Sequence, residues 1–287
     1  MIPVSIVMPA WNAEKTIGQA IQSVMDQTHE NFELIVVDDG SDDGTLSIAK
    51  AYSERDCRIR VLENTKNLGV SQSRNNGVQA ARYDWIAFLD SDDLWEATML
   101  ETQVRTILRD SACSICFTGS AFMNERGEKY GYTLSVPERM TYRSLLKQNL
   151  ITCSSVLVKK EALLRHPMHN DPLIHEDFAL WLQILREEPY AVGINEPLVI
   201  YRLSKSSKSG SKLRAAKMQW RTYRYIGLRP MSAIAYFVIY ANRNLHKYLG
   251  ILLSVQRDGV KNHDGSEKTS GSHAGDVDRD RSHLQKA

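Results

Sequence analysis

The chain has 287 residues, 43% of them hydrophobic, enough for one large folded domain with an appendage. Four cysteines, Cys57, Cys113, Cys116 and Cys153, are too few for a disulfide framework at this length, which excludes a small stapled secreted fold and points to a reducing compartment. The net charge of +2 hides an asymmetry: residues 202–253 hold eleven of the 36 Lys and Arg and no Asp or Glu, so the remainder sets 34 acidic side chains against 25 basic ones.

"VSIVMPA" from Val4 reads as a strand stopped by Pro9, after which Ile17, Ala20, Ile21, Val24 and Met25 recur at helical spacing. A second strand, "FELIVVDDG", meets the acidic turn "DDGSDDGT" before "TLSIAKAYSE" resumes helically. "IRVLEN" is a third strand, leading through "TKNLGVSQ" into a helix near "SRNNGVQAA", and "YDWIAFLDSDD" is a fourth. This alternation predicts right-handed crossovers and an α/β fold built on one mostly parallel sheet flanked by helices. A helix over 96–109 follows, then a strand over 114–124 with a hairpin-like break at "NERGEK". "TYRSLLKQN" reads as helical, "ITCSSVLVKKEALLR" as a strand entering a helix, "FALWLQILREE" as a helix, and "YAVGINEPLVIYR" as a closing strand or strand pair. Cys113 and Cys116 form a C-x-x-C pair inside a strand pattern with no second pair, so core thiols are expected rather than a zinc or redox site.

"LSKSSKSGS" is a polar connection, and residues 212–253 predict two helices broken near Gly227 and Pro230. They form a basic amphipathic extension over 206–253, which either docks on the body or lies in an anionic membrane interface. The apolar run Met231 to Ala241 is too short to span a bilayer. From 254 onward there is little to bury, and a disordered tail is expected.

Ligands of open parallel sheets bind outside the carboxyl ends of the strands, where the unusual polar groups of this chain gather. Asp90, Asp92 and Asp93 end an apolar run; if its alternation persists, Asp90 and Asp92 share a face suited to a divalent cation that also takes phosphate oxygens. Asp38 and Asp39 end another strand, where a carboxylate accepts from ribose hydroxyls or a base imide. Arg74, entering a helix, is the nearby cation for a phosphate. Glu176 and Asp177 open a helix after His175, either as ordinary complements of its dipole or with one carboxylate as general base. Neither a G-x-G-x-x-G nor a P-loop pattern is present. A sugar-phosphate nucleotidylyltransferase is an alternative chemistry, but it needs a glycine-rich basic loop after the first strand, where this chain has "PAWNAEKT". A nucleic-acid-binding protein is the non-enzymatic alternative, suggested by the basic segment with its Trp and Tyr residues and opposed by the acidic body.

The stretches "VSIVMPAWNAEKTIGQAIQSVMDQTHENFELIVVDDGSDDGT", "NLGVSQSRNNG", "WIAFLDSDD" and "HEDFALWLQILR", in this order, resemble family 2 of the nucleotide-sugar glycosyltransferases over about residues 2–205. The resemblance is to bacterial enzymes that build capsule, O-antigen, colanic acid or teichuronic acid repeats. It implies a GT-A fold over 1–205, with a nucleotide-binding half, 1–105, and an acceptor-binding half, 106–205. It further implies that Pro9, Ala10, Asn12 and Glu14 line a nucleotide pocket with Asp38 or Asp39 near the uracil. Asn67, Gly69 and Arg74 would form the ribose and diphosphate wall. "DSD" would be the D-x-D-like element, Asp90 toward ribose or sugar, Ser91 between, and Asp92 on Mn2+ or Mg2+. Asp177 matches the catalytic base with Glu176 in support. The implied reaction is a single, metal-dependent, inverting transfer from a UDP-sugar to a lipid-linked or oligosaccharide acceptor. Its implied setting is the cytoplasm of a bacterium, peripheral at the inner face of the plasma membrane. No Q-x-x-R-W element of processive synthases is present.

Overall fold

A computed structural model describes residues 2–110, 112–203 and 212–245. Its centre is a ten-stranded sheet whose main path runs β3-β2-β1-β4-β9-β6-β10-β5. In chain order the strands are β1 (Val4–Ala10), β2 (Phe32–Asp38), β3 (Ile59–Glu63), β4 (Trp85–Phe88), β5 (Leu94–Trp95), β6 (Ile115–Met123), β7 (Lys129–Leu134), β8 (Arg139–Met140), β9 (Val156–Lys159) and β10 (Ala191–Arg202). The helices are α1 (Ile17–Met25), α2 (Thr45–Ser53), α3 (Val70–Ala80), α4 (Met99–Arg109), α5 (Tyr142–Leu145), α6 (Lys160–Arg165), α7 (Glu176–Glu187) and α8 (Lys212–Tyr225), followed by a helix over 230–245.

β1 pairs in parallel with β2 and β4, and β2 with β3. β9 is antiparallel to both β4 and β6, so β6 runs with the first four strands, and β10 runs parallel to β6. Successive residues of the central strands feed opposite faces. Val7, Ile35 and Val37 join one core with residues of α3, α6 and α7, whereas Ile6, Met8, Leu34 and Val36 join another with residues of α1, α2 and α4. Runs apolar on every residue, such as "FELIVVD", are thus explained by helices on both sides. The "strand or strand pair" at 190–202 is one strand, kinked by register shifts between Ile194 and Val199, so that it pairs with β8, β6 and β5. Cys113 and Cys116 lie in the apolar core, where burial pushes the Cys113 thiol up to about 11.

α3 sits so close to the sheet that a Cβ at Gly77 would come within 2.3 Å of Val7 Cγ1. Val7 is stiff and fully buried, so it has nowhere to move. Gly77→Ala is therefore expected to destabilise the protein by about 1–3 kcal/mol, read as a lower urea midpoint at unchanged slope.

The two helices after residue 211 dock on the body. Tyr223, Ile226 and Ala233 are buried in the core that α7 shares, and Tyr236, Phe237 and Tyr240 pack against it. Residues 204–211 of the connection expected at 203–211, residues 246–253 of the expected extension and the tail expected from 254 lie outside the described residues.

Candidate active site

Because β1, β2, β3, β4, β6 and β10 are parallel, their carboxyl ends share one edge of the sheet. A cleft of about 1050 Å³ opens there. Its lining includes Pro9 and Ala10 from β1, Asp39 after β2, Asn67 and Gly69 before α3, Asp90, Ser91 and Asp92 after β4, Glu125 after β6, and Arg202 at the end of β10. The chain leaves β1 toward β2 on one side and places β4 on the other, so the cleft stands at the switch point of the sheet.

The wall after β1 is built by two interlocked loops. Asn12 N donates to Ser41 Oγ (3.0 Å), Ala13 N to Thr45 Oγ1 (2.7 Å), Glu14 N to Asp43 Oδ2 (3.1 Å), and Gly44 N to Glu14 Oε2 (3.0 Å). Asn12 and Glu14 therefore line the cleft while bracing the 40–45 turn. Asn12 holds a left-handed φ of 50°, which asparagine tolerates. Gly40 is required in that turn: its φ is 69°, and a Cβ would lie 2.7 Å from the Lys66 carbonyl carbon. Trp11, 56% exposed, stands on the same wall.

Adjacent acids in the second motif have different environments. Asp39 accepts from Asn64 Nδ2 (2.8 Å), Leu68 N (2.9 Å) and Gly69 N (2.8 Å), which ties the 64–69 loop to β2. Asp38 accepts from Ser41 N, but its buried Oδ1 has no hydrogen-bond partner among the described residues. A buried acceptor left so costs about 1–3 kcal/mol.

β4 ends at Phe88, so the three acids that follow sit in a turn and not on a pleated strand. The turn still separates them. Asp90 and Asp92 line the cleft, whereas Asp93 is 1% exposed and accepts from Ser154 Oγ (2.6 Å) and Arg202 N (2.9 Å). Burial, with the adjacent Asp90 charge, pushes the Asp92 carboxyl up to about 6.

Arg74 is buried behind this turn. Its Nη2 donates to Asp90 Oδ1 at 2.6 Å, and its Nη1 lies 3.5 Å from Glu176 Oε1. Burial disfavours the guanidinium charge, yet Asp90 and Glu176 raise its pKa overall. At the start of α7, His175 N donates to Thr222 Oγ1 (2.9 Å), and Asp177 Oδ1 accepts from Phe178 N (2.7 Å). Asp177 is half-buried; burial first and Glu176 second raise its carboxyl above the ordinary aspartate range, against the pull of His175 and Arg74. Asp38, Arg74, Glu176 and Asp177 thus stand outside the cleft lining, and the last three connect to it through Asp90. Burial, and then the nearby carboxylates, Asp93 first, raise the Tyr201 phenol above the ordinary tyrosine range.

Arg202, which the sequence offers only as one of the cations of 202–253 and as the end of the closing strand, has a specific place in the structure. It is 7% exposed, and its Nε donates to the Asp92 carbonyl (2.8 Å) and its Nη2 to Gln19 Oε1 (3.1 Å). It is a wall of the cleft, as are Trp11, Lys15, Glu125, Asn170 and Asp171, none of which the motifs singled out. Its only signal in the sequence is its place at the end of the apolar run "PLVIYR". Trp181 is fully buried, its ring 6.5 Å from that of Phe88, and serves the core.

A family model described as glycosyl transferase family 2 matches residues 5–166, which carry β1 to β4 and the Asp90–Asp92 turn of this edge, while Glu176, Asp177 and Arg202 follow the matched stretch. The chain belongs to that family. It is 38% identical over 247 residues to TuaG of Bacillus subtilis (strain 168), covering 86% of this chain and 97% of that protein. It is 36% identical over 248 residues to the Escherichia coli UDP-Glc:alpha-D-GlcNAc-diphosphoundecaprenol beta-1,3-glucosyltransferase WfgD, covering 85% and 94%. Among solved structures, S. aureus TarS 1-349 in complex with UDP-GlcNAc superposes with a TM-score of 0.66 at 18% identity, over 85% of this chain and 73% of that one. The mannosyltransferase PcManGT from Pyrobaculum calidifontis, solved with GDP-Man and Mn2+, gives 0.63 at 18% identity, over 83% and 70%. The fold is thus the GT-A glycosyltransferase fold, and the family 2 glycosyltransferase has its cleft where sheets of this kind bind ligands.

The described residues contain no group of three or more His, Cys, Asp or Glu that holds a metal by itself. Seven carboxylates nevertheless line the cleft, Glu14, Asp39, Asp43, Asp90, Asp92, Glu125 and Asp171, against two cations, Lys15 and Arg202. A diphosphate entering that field is repelled unless a cation accompanies it. Asp90 and Asp92 fit a divalent ion whose remaining ligands are phosphate oxygens.

Proposed function

We propose that this glycosyltransferase moves a hexose or N-acetylhexosamine from a UDP-sugar to a hydroxyl of a polyprenyl-diphosphate-linked glycan, one sugar per encounter and with inversion, in bacterial surface polysaccharide synthesis. The acceptor class follows the WfgD name, the uridine nucleotide follows that name and the TarS complex, and Mn2+ follows the PcManGT complex. The observation that carries the mechanism is the Arg74 bridge: one guanidinium clasps Asp90 of the cleft turn and Glu176 beside Asp177. A donor held over Asp90 and an acceptor hydroxyl at Asp177 would thereby meet at a fixed spacing.

In the proposed arrangement, Pro9, Ala10, Asn12 and Glu14 frame the base beside Trp11, with Asp39 of the same lining near the uracil. Asn67, Gly69 and Ser91 form the wall toward ribose and diphosphate. Asp92, with Asp90, would hold Mn2+ or Mg2+, which supplies a Lewis acid for the departing diphosphate. Asp177 takes the acceptor hydroxyl proton as the oxygen bonds to the anomeric carbon, and the sugar–phosphate C–O bond breaks with its electron pair leaving on UDP. Lys15 and Arg202 add positive charge where that negative charge grows. Such an enzyme would work at the cytoplasmic face of the plasma membrane.

A transfer screen over UDP-sugars, with and without Mn2+, on a GlcNAc-diphosphate polyprenyl acceptor tests the assignment; no transfer from any UDP-sugar refutes it. Asp92→Asn is expected to weaken UDP binding in Mn2+ by at least about tenfold while leaving binding in chelator unchanged, as read by calorimetry. Equal affinity with and without Mn2+ in the unsubstituted enzyme would remove the metal from the scheme.

A further inference from the structure

We propose that the outer faces of α8 and the 230–245 helix together form a docking surface for an anionic lipid bilayer, an inference that rests on the lipid-linked acceptor proposed above. Just past the end of α8 at Tyr225, Gly227 with a φ of 81° and Leu228 N donating to Tyr223 O close the helix as a C-terminal cap. Pro230 then opens the next helix, where a missing N–H costs nothing.

Both helices are two-faced. In α8 the inward side chains are Met218, Gln219, Thr222 and Tyr223, and the exposed ones are Arg214, Lys217, Arg221 and Arg224, a single cationic stripe. In the second helix Ala233, Tyr236, Phe237 and Tyr240 face the core. Its opposite side carries Met231, Ile234, Val238 and Leu245, exposed by 78%, 49%, 62% and 56% and spaced three, four and seven residues apart. The rings of Tyr223 and Tyr240 lie 6.2 and 6.0 Å from the same Phe178 ring, so both inner faces converge and both outer faces turn away from one point. An apolar stripe beside a cationic one is thereby presented outward, and residues 212–245 contain no Asp or Glu.

Exposed apolar stripes of this length mark an interaction site. No helix of the described residues is long and apolar enough to cross a membrane, so insertion would be shallow, with the apolar stripe at the acyl boundary and the cations among headgroups. A second copy of the chain is the poorer occupant, because a two-fold interface would set the cationic stripe against itself. The surface is also joined to the chemistry: Phe178 follows Asp177, and Thr222 of α8 receives the His175 amide. Docking would hold the base-bearing end of α7 at a set orientation to the lipid surface.

The test is sedimentation of the full chain with vesicles of equimolar phosphatidylcholine and phosphatidylglycerol, against pure phosphatidylcholine, without sugar nucleotide. Binding is expected only to the anionic vesicles and should weaken with salt. Ile234→Gln with Val238→Gln, and separately Arg214→Gln with Arg221→Gln, should each lower partitioning on the order of tenfold while transfer to a water-soluble acceptor stays at the unsubstituted rate. All four positions are exposed, and circular dichroism checks that the variants fold. Wild-type-like partitioning of both variants overturns the proposal, as does loss of a dimer in the apolar variant without any vesicle binding by the parent. Vesicle binding without sugar transfer would sink the proposed reaction alone, and transfer without vesicle binding would sink the docking surface alone.

Discussion

Asp177→Asn is expected to lower sugar transfer by about 10²- to 10⁴-fold, the usual contribution of a positioned general base. The amide keeps the Oδ1 that accepts from Phe178 N, so the start of α7 should be undisturbed. UDP affinity should accordingly match the unsubstituted enzyme, since Asp177 stands outside the cleft that would hold the nucleotide. Paired measurement of transfer and of UDP binding separates loss of chemistry from loss of structure. The pH profile adds a sign. A base acts when deprotonated, and burial with the Glu176 charge raises the Asp177 pKa, so the acidic limb of the transfer rate should fall at higher pH than an ordinary aspartate would give. Equal rates in the two proteins would strip Asp177 of the role.

Arg74→Met is expected to cost about 3–5 kcal/mol of stability, because it removes the cation from a buried ion pair and leaves Asp90 facing Asp92 uncompensated. That is a large share of the ~5–15 kcal/mol that holds a typical domain together. Arg74→Lys keeps the charge but cannot span Asp90 and Glu176 with a planar fork, so it should fall between the two. Adding Asp90→Asn to Arg74→Met should recover part of the loss, a coupling that urea unfolding of the four proteins would quantify. A loss below about 1 kcal/mol would place this bridge with ordinary surface pairs and remove the tie between the cleft turn and α7.

The two halves of the site differ in how visible they are before folding. The cleft turn is local: Asp90 and Asp92 lie two residues apart after an apolar run, and their placement on one side is readable although the backbone there is a turn and not a strand. The loops after β1 and β2 are likewise rich in residues that cap and turn, which is how they come to interlock. The place of Arg202 in the cleft was hidden for a physical reason. The residues before it form an apolar run with no sign of a site, and only the parallel pairing of β10 with β6 brings that strand end to the edge shared by β1 and β4. Glu125 reaches the cleft by the same route.

From the sequence alone came the alternating α/β order, the strand ends at which polar groups collect, and the family motifs, since each depends on residue periodicity or on short-range turn chemistry. Tertiary structure decided that Arg74 faces Asp90 and Glu176 rather than the open cleft, that Asp93 is fully buried while the half-buried Asp92 lines the cleft, and that the basic helices turn their aromatic side inward and their cationic and apolar stripes outward. Those outcomes depend on which strands become neighbours and which helix covers which face. Contacts between residues a hundred positions apart, such as Arg202 with Asp92, leave no periodic trace in the chain.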